Sequence, residues 1–339
     1  MIIIWLKFLV CTAVILFFGS QLSRYADIIA EKTGLSRAWI GIVLLASVTS
    51  MPELANGISA VTGVGMPDLA VADIFGACLY NMVTFSLLIM AWGVLRKGSI
   101  NSNVSTAHVI SGAFTVAMIA LSVGSIILYR MTVLPSFFGV GMFSILIAVV
   151  YFIAQRVIFL YEKGIGDVAV VAEREVRGTS LGAALAKFAF FSVFVVAAGA
   201  WLPFIGAEIT GLMGWGGSFV GSMLLGLATT LPELAVSVSA AFMFGSADLA
   251  VGNLFGSNVF NVFMIFVFDL FFGRPLFSAV SVSNVYLGLV AIAAIVVGML
   301  SLMLKPRRRL FGALGWDSAG IILLYIFGVF LLFSLGAGA

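Results

Sequence analysis

Thr49-Ser50-Met51-Pro52-Glu53-Leu54-Ala55 is written again, 180 residues later, as Thr229-Thr230-Leu231-Pro232-Glu233-Leu234-Ala235. Each copy sets hydroxyls, a helix-breaking proline and a carboxylate inside a long apolar segment. An unpaired carboxylate at the centre of a bilayer costs at least ~2.5–3.5 kcal/mol, and a chain that places two there has a use for them. The register runs without a gap from Thr49/Thr229 to Asn81/Asn261, with fifteen identities in thirty-three positions. Chance similarity between apolar helices would match Leu, Ala and Val. Here the matches include Pro52/Pro232, Glu53/Glu233, Ser59/Ser239, Asp68/Asp248, Phe75/Phe255, Gly76/Gly256 and Asn81/Asn261.

The rest of the chain is membrane. Hydrophobic residues make up 63% of it, charged residues 9%, and mean hydropathy is +1.23. A soluble domain carries about a quarter of its residues as charge, so this composition implies an all-α polytopic membrane protein. Apolar segments fall at about 2–20, 37–62, 68–95, 105–128, 132–155, 180–204, 216–244, 248–272, 284–304 and 317–336, giving ten spans. The first lacks a small-x-small cleavage pattern and is read as a span, not a secretory signal. The polar piece after it, with Arg24, Asp27, Glu31, Lys32 and Arg37, reads as a helix lying at the interface.

A polar linker at 156–179 divides the chain into halves of five spans, 1–155 and 180–339. Five is odd, so the two copies of the motif cross the membrane in opposite directions. Such an inverted repeat places substrate near the midplane, on discontinuous helices; the second and seventh spans are expected to break near Pro52 and Pro232. Thirteen Lys and Arg lie in loops on the linker's side against Arg130 and Arg274 on the other. This puts the linker in the cytoplasm and both termini outside, with the basic cluster Lys305–Arg309 read as an orientation signal. The plasma membrane is the expected location.

Proline has no N–H, so the carbonyls of Val48 and Ala228 lose their partners four residues on. Around them stand Thr49, Ser50, Glu53, Thr229, Thr230 and Glu233. Carbonyl, hydroxyl and carboxylate oxygens are the ligands of hard cations such as Ca²⁺, and no soft set accompanies them. A second wall comes from the next span of each half, where Asp73, Ala77 and Asn81 share one helical face, as do Asn253, Ser257 and Asn261. Asp73 is either a neutral hydrogen-bonded group or a third carboxylate facing the cavity. Asp68 and Asp248 are read as N-caps, Gly76 and Gly256 as points of close helix approach. Cys11 and Cys78 are read as buried thiols, and His108 as structural.

Both segments resemble the α-repeats of sodium/calcium exchangers, in the cation/calcium antiporter superfamily. Gly226-Leu227-Ala228-Thr229-Thr230-Leu231-Pro232-Glu233-Leu234 and Gly252-Asn253-Leu254-Phe255-Gly256-Ser257-Asn258-Val259-Phe260-Asn261 are close to the family's second-repeat pattern. The resemblance covers essentially the whole chain. It implies ten helices as two inverted five-helix repeats, and exchange of Na⁺ for Ca²⁺ by alternating access, with no enzymatic activity, cofactor or nucleic-acid partner. It also implies that Glu53 and Glu233 are shared Ca²⁺ and Na⁺ carboxylates and that Thr49 and Thr229 ligate. Ser50, Thr230, Ser257, Asn81 and Asn261 would line the site, and the transporter would function as a monomer.

The chain departs from that pattern in the first repeat, where Ala72-Asp73-Ile74-Phe75-Gly76-Ala77-Cys78 stands for Gly-Asn-x-x-Gly-Ser-Asn, so the Na⁺-ligating hydroxyl expected at Ala77 is missing. Many relatives, including the potassium-dependent branch, have aspartate where this chain has Asn261, which disfavours potassium dependence. Proton/Ca²⁺ exchange is the main alternative, since buried glutamates can carry protons. A passive channel would gather its oxygens by symmetry around a pore. An intramembrane hydrolase would need a base that the Ser and Glu residues here lack.

Overall fold

The computed structural model describes residues 1–33, 46–96, 100, 104–165, 179–243, 245–306 and 314–336. The start of the second span, most of the central linker and the arginines of the 305–309 cluster lie outside the described residues. Among the described residues the regular structure is helical apart from one two-stranded hairpin. Its helices are α1 (Ile2–Thr33), α2 (Ala46–Thr49), α3 (Met51–Ser59), α4 (Pro67–Arg96), α5 (Ala107–Met131) and α6 (Met142–Ile165) in the first half. The second half holds α7 (Leu181–Met213), α8 (Gly217–Val220), α9 (Gly226–Val238), α10 (Ala247–Phe272), α11 (Ser283–Leu304) and α12 (Trp316–Gly336). Nine stretches of described helix are long and apolar enough to cross a membrane.

Several boundaries differ from those read off hydropathy. The piece carrying Arg24 and Lys32 is no separate interfacial helix, because α1 continues through it as one 32-residue helix. The fifth helix begins at Met142, not near 132. The intervening stretch folds as a hairpin pairing Ser136 with Gly141 and Phe137 with Val140, turned at Phe138 and Gly139 with φ 51° and 86°, the left-handed geometry of a tight hairpin turn. At its other end this helix reaches Ile165, into the stretch read as linker.

The two proline motifs sit on interrupted helices, but the interruptions differ. In the first, Ser50 leaves the helical path (φ −89°, ψ 16°) between α2 and α3. Pro52 then falls in the first turn of α3, where a missing N–H costs nothing. In the second, Pro232 lies inside α9, and the irregularity is displaced to π-helical turns at Gly221–Leu225 and Ser239–Met243. A third π turn, Ala60–Val64, closes the first motif helix. The turn at Gly221–Leu225 re-aims a helix that continues, whereas those at Ala60–Val64 and Ser239–Met243 stand at helix ends.

α4 and α10 are the most buried of the membrane-crossing helices and pack against each other. The motif helices lie against them, and α1 and α7 pack outside these. Close approach depends on glycine. A Cβ on Gly76 of α4 would stand 2.5 Å from the Ser222 carbonyl oxygen. The same register reaches further upstream than the sequence match: Gly199 of α7 faces the Pro52 carbonyl and Gly19 of α1 faces the Pro232 ring, and 19 and 199 are again 180 apart.

Asp68 and Asp248 are not N-caps of their own helices; Ser246 caps α10, through Leu249 N. Each aspartate reaches across to the start of another helix. Asp68 Oδ1 accepts from Ser281 N (2.7 Å) and Asn284 Nδ2 (2.8 Å) before and at the start of α11. Asp248 Oδ1 accepts from Ser105 N (2.7 Å) and His108 Nε2 (2.9 Å) at the start of α5. One carboxylate thereby satisfies two donors at a helix end that would otherwise be orphaned, and His108 does in one half what Asn284 does in the other. Asp68→Ala and Asp248→Ala are each expected to destabilise the protein by about 1–3 kcal/mol, read as a lowered melting temperature in detergent. His108→Gln, which keeps a donor near the Nε2 position, should melt closer to wild type than His108→Ala; equal loss in both would remove this role from the imidazole.

Candidate functional site

Where α3 and α9 meet α4 and α10, the two halves exchange side chains. Ser50 Oγ donates to Glu233 Oε1 at 2.8 Å. Thr230 Oγ1 stands 3.4 Å from Glu53 Oε1 and 2.6 Å from the Gly226 carbonyl oxygen, which takes its proton. Ser50 and Thr230 are the same position of the repeat, as are Glu53 and Glu233, so each half brings a hydroxyl to the other's carboxylate. Both glutamates are 0% exposed, and Glu53 feels the charge of Glu233 and of Asp73.

The remaining residues named above are buried on α2, α4, α9 and α10. Thr49 and Ser257 hydroxyls lie 3.4 Å apart. Thr229 Oγ1 lies within 3.1 Å of both Asp73 Oδ1 and the Leu225 carbonyl. Asn81 donates from Nδ2 to Asn258 Oδ1 at 2.9 Å. Asn261 is buried and neither its nitrogen nor its oxygen finds a partner among the described residues. Asp73 uses both oxygens, accepting from Asn56 Nδ2 at 2.8 Å as well as from Thr229.

Buried polar atoms are almost always paired, and each exception calls for a cause. Eight of these exceptions lie on α3, α4, α9 and α10. Glu53 Oε2, Glu233 Oε2, Asn56 Oδ1, Asn81 Oδ1, Asn253 Oδ1 and Asn261 Oδ1 are buried acceptors without a donor among the described residues, and Asn258 Nδ2 and Asn261 Nδ2 are donors without an acceptor. The six are carboxylate and amide carbonyl oxygens, the ligand chemistry of Na⁺ and Ca²⁺. Their majority over the donors favours a cation over an anion.

Asn56, Asn253 and Asn258 were not singled out as site residues from the sequence. Asn56 and Asn253 carried signals: Asn56 is a polar residue one turn beyond Glu53 where the other copy has Val236, and Asn253 shares the face of Ser257 and Asn261. Asn258 sits off that face, and its pairing with Asn81 depends on how α4 and α10 cross. Cys78, the matched position of Asn258, places Sγ 3.9 Å from the Asn258 carbonyl oxygen. It and Cys11 are buried free thiols.

Comparison with known proteins agrees with this architecture. The profile of the sodium/calcium exchanger protein family matches residues 3–155 and 183–336, both halves of the chain. A sodium/calcium exchanger of Methanosarcina acetivorans, MaX1, is 37% identical over 82 residues, covering 21% of this chain and 23% of that protein; the match thus spans about a quarter of that relative's length. Among solved structures, the H⁺/Ca²⁺ exchanger CAX superposes with TM-score 0.69 at 14% identity, over 98% of this chain and 85% of that one. YfkE gives 0.63 at 15% identity, over 96% and 92%. The sodium-calcium exchanger NCX_Mj gives 0.57 at 19%, over 97% and 99%. At such identities the structures speak for the fold, a ten-helix arrangement of two repeats. With both of its repeats matched, the chain belongs to the sodium/calcium exchanger family of membrane cation transporters.

Proposed function

We propose that this protein is a Na⁺/Ca²⁺ antiporter that carries its ions past Glu53 and Glu233 by alternating access. The observation that carries the reading is the state of these two carboxylates. Each is fully buried, each has the opposite half's hydroxyl beside one oxygen, at 2.8 Å for Glu233 and 3.4 Å for Glu53, and each has its second oxygen without a partner among the described residues. That second oxygen is left for the load. Thr49, Ser50, Thr229, Thr230, Ser257, Asn81 and Asn261 surround that load, together with the Ala228 carbonyl that Pro232 deprives of its helix partner.

Coupling follows from charge. Moving the empty site through a closed intermediate would expose two uncompensated carboxylates to the low-dielectric interior, about 5–7 kcal/mol on the insertion scale. That slows the step by roughly four to five orders of magnitude. A Ca²⁺ ion, or Na⁺ ions in its place, cancels the charge and releases the step. The protein therefore turns over when loaded with either ion, and the gradient of one drives the other.

Proton exchange for Ca²⁺ is the reading that stands next. It is favoured by Ala77, which offers no hydroxyl where the second half has Ser257, and by a buried set of three carboxylates that protons could also neutralise. The reading extends to arrangement: a monomer, since one chain supplies both halves of the site, placed in the plasma membrane with both termini outside.

In proteoliposomes, an outward Na⁺ gradient at clamped voltage is expected to drive ⁴⁵Ca²⁺ uptake, while a pH gradient of equal size should drive little; the reverse ranking would select the proton-coupled alternative. Glu53→Gln and Glu233→Gln should each reduce exchange to the level of empty vesicles. Exchange that survives either substitution would show that the carboxylates are not shared by the two ions.

A further inference from the structure

The two halves of the site are not equivalent, and the difference centres on Asn56. In the second half, Asn253 Nδ2 donates to Ser237 Oγ at 3.0 Å and lies 3.3 Å from the Glu233 carbonyl oxygen, and the residue matched to Asn56 is Val236. In the first half the position matched to Asn253 is Asp73. A carboxylate can only accept when ionised. Asp73 therefore takes the amide nitrogen of Asn56 (2.8 Å) on one oxygen and the Thr229 hydroxyl (3.1 Å) on the other.

That contact fixes which way the Asn56 amide faces. With its nitrogen turned to Asp73, its carbonyl oxygen is turned away, and this oxygen is buried with no partner among the described residues. Asn56 itself is 0% exposed. It stands three residues after Glu53 on α3, on the same helical face, and the Oε2 of Glu53 is likewise free. Two hard oxygens, one charged and one neutral, thus project from adjacent turns of one short helix.

The hydroxyl contacts point the same way. Thr49 has the Ser257 hydroxyl beside it. Thr229, its counterpart, has Ala77 at the matched position and turns to Asp73 instead. The first half therefore lacks the oxygen that Ser257 gives the second and holds, at Asn56, an oxygen that the second half lacks. We propose that Asn56 is a ligand of the transported cation through its side-chain carbonyl, and that Asp73 is the positioning residue that aims it. Asp73 acts through Asn56, with both of its own oxygens already engaged.

The inference rests on the reading that Glu53 and Glu233 bind Na⁺ and Ca²⁺, and its test separates the two. On purified protein, Na⁺ and Ca²⁺ are titrated separately, with ion-induced rise in melting temperature and ⁴⁵Ca²⁺ binding as readouts. The variants are Asn56→Val, Asn56→Ser, Asp73→Asn, and Asn56→Val with Asp73→Asn, which recreates the Val236 and Asn253 pair of the other half. Removal of an outer-shell partner of a ligand typically weakens metal binding about 10–100-fold, and Asn56→Val and Asp73→Asn are each expected to raise the half-saturating concentration of at least one ion within that range. The double variant should be no weaker than the weaker single, because Asp73 has nothing left to aim. Asn56→Ser keeps a donor for Asp73 but loses the carbonyl; it should raise the half-saturating concentration in the same range, and it replaces Asn56→Val should that larger change not fold.

Half-saturating concentrations within twofold of wild type for both ions in the Asn56 variants would overturn the assignment. A further loss on adding Asp73→Asn to Asn56→Val would make Asp73 a direct ligand or charge carrier and overturn its positioning role. Wild-type protein that binds neither ion would instead defeat the antiporter reading itself.

Discussion

Two buried carboxylates on the repeated helices of a membrane protein, each with a hydroxyl of the opposite half beside it, set the terms for the rest of this structure. Like charges at such depth repel and are poorly solvated, so the fold must bring donors to them and leave room for a neutralising cation. The hydroxyls arrive by symmetry. Ser50 reaches Glu233 and Thr230 reaches Glu53 because the motif helices are repeats of each other, and the same exchange recurs at Gly19 with Pro232 and Gly199 with Pro52. Asp68 and Asp248 repeat it again at the helix ends. A site built this way has two flanks related by the repeat, as inverted-repeat transporters do.

Much of this was legible in the sequence because the informative residues are costly in a membrane. Pro, Glu, Asp and Asn at matched positions in apolar segments had no compositional explanation, and the 180-residue register with an odd number of spans dictated the inverted arrangement. What hydropathy could not place was where helices begin and end. It reads burial, and the polar end of α1 remains helical while the apolar stretch at 132–141 turns as a hairpin. Nor does it see hydrogen-bond partners chosen by helix crossings. Asp68 and Asp248 carried a capping signature, but the helix ends they satisfy belong to distant parts of the chain. Pro232 marked an interruption without revealing that π turns on either side would absorb it.

The repeats diverge where the ions are expected to be handled. Three differing positions of α4, Asp73, Ala77 and Cys78 against Asn253, Ser257 and Asn258, lie among residues that are otherwise closely matched. Divergence there leaves the scaffold symmetric and the chemistry uneven: one flank offers a hydroxyl pair, the other a carboxylate tied to an amide. Glu53 and Glu233 carry the charge that a single divalent ion cancels, while Asp73 is held by the donors of Asn56 and Thr229.

The central claim is that Na⁺ and Ca²⁺ occupy the same carboxylates in turn. Equilibrium binding of ⁴⁵Ca²⁺ to purified protein, titrated with Na⁺ at constant ionic strength, tests it most directly. The account predicts that Na⁺ displaces bound Ca²⁺ completely and that excess Ca²⁺ restores it. A fraction of Ca²⁺ that stays bound at saturating Na⁺, with both ions held at once, would contradict it.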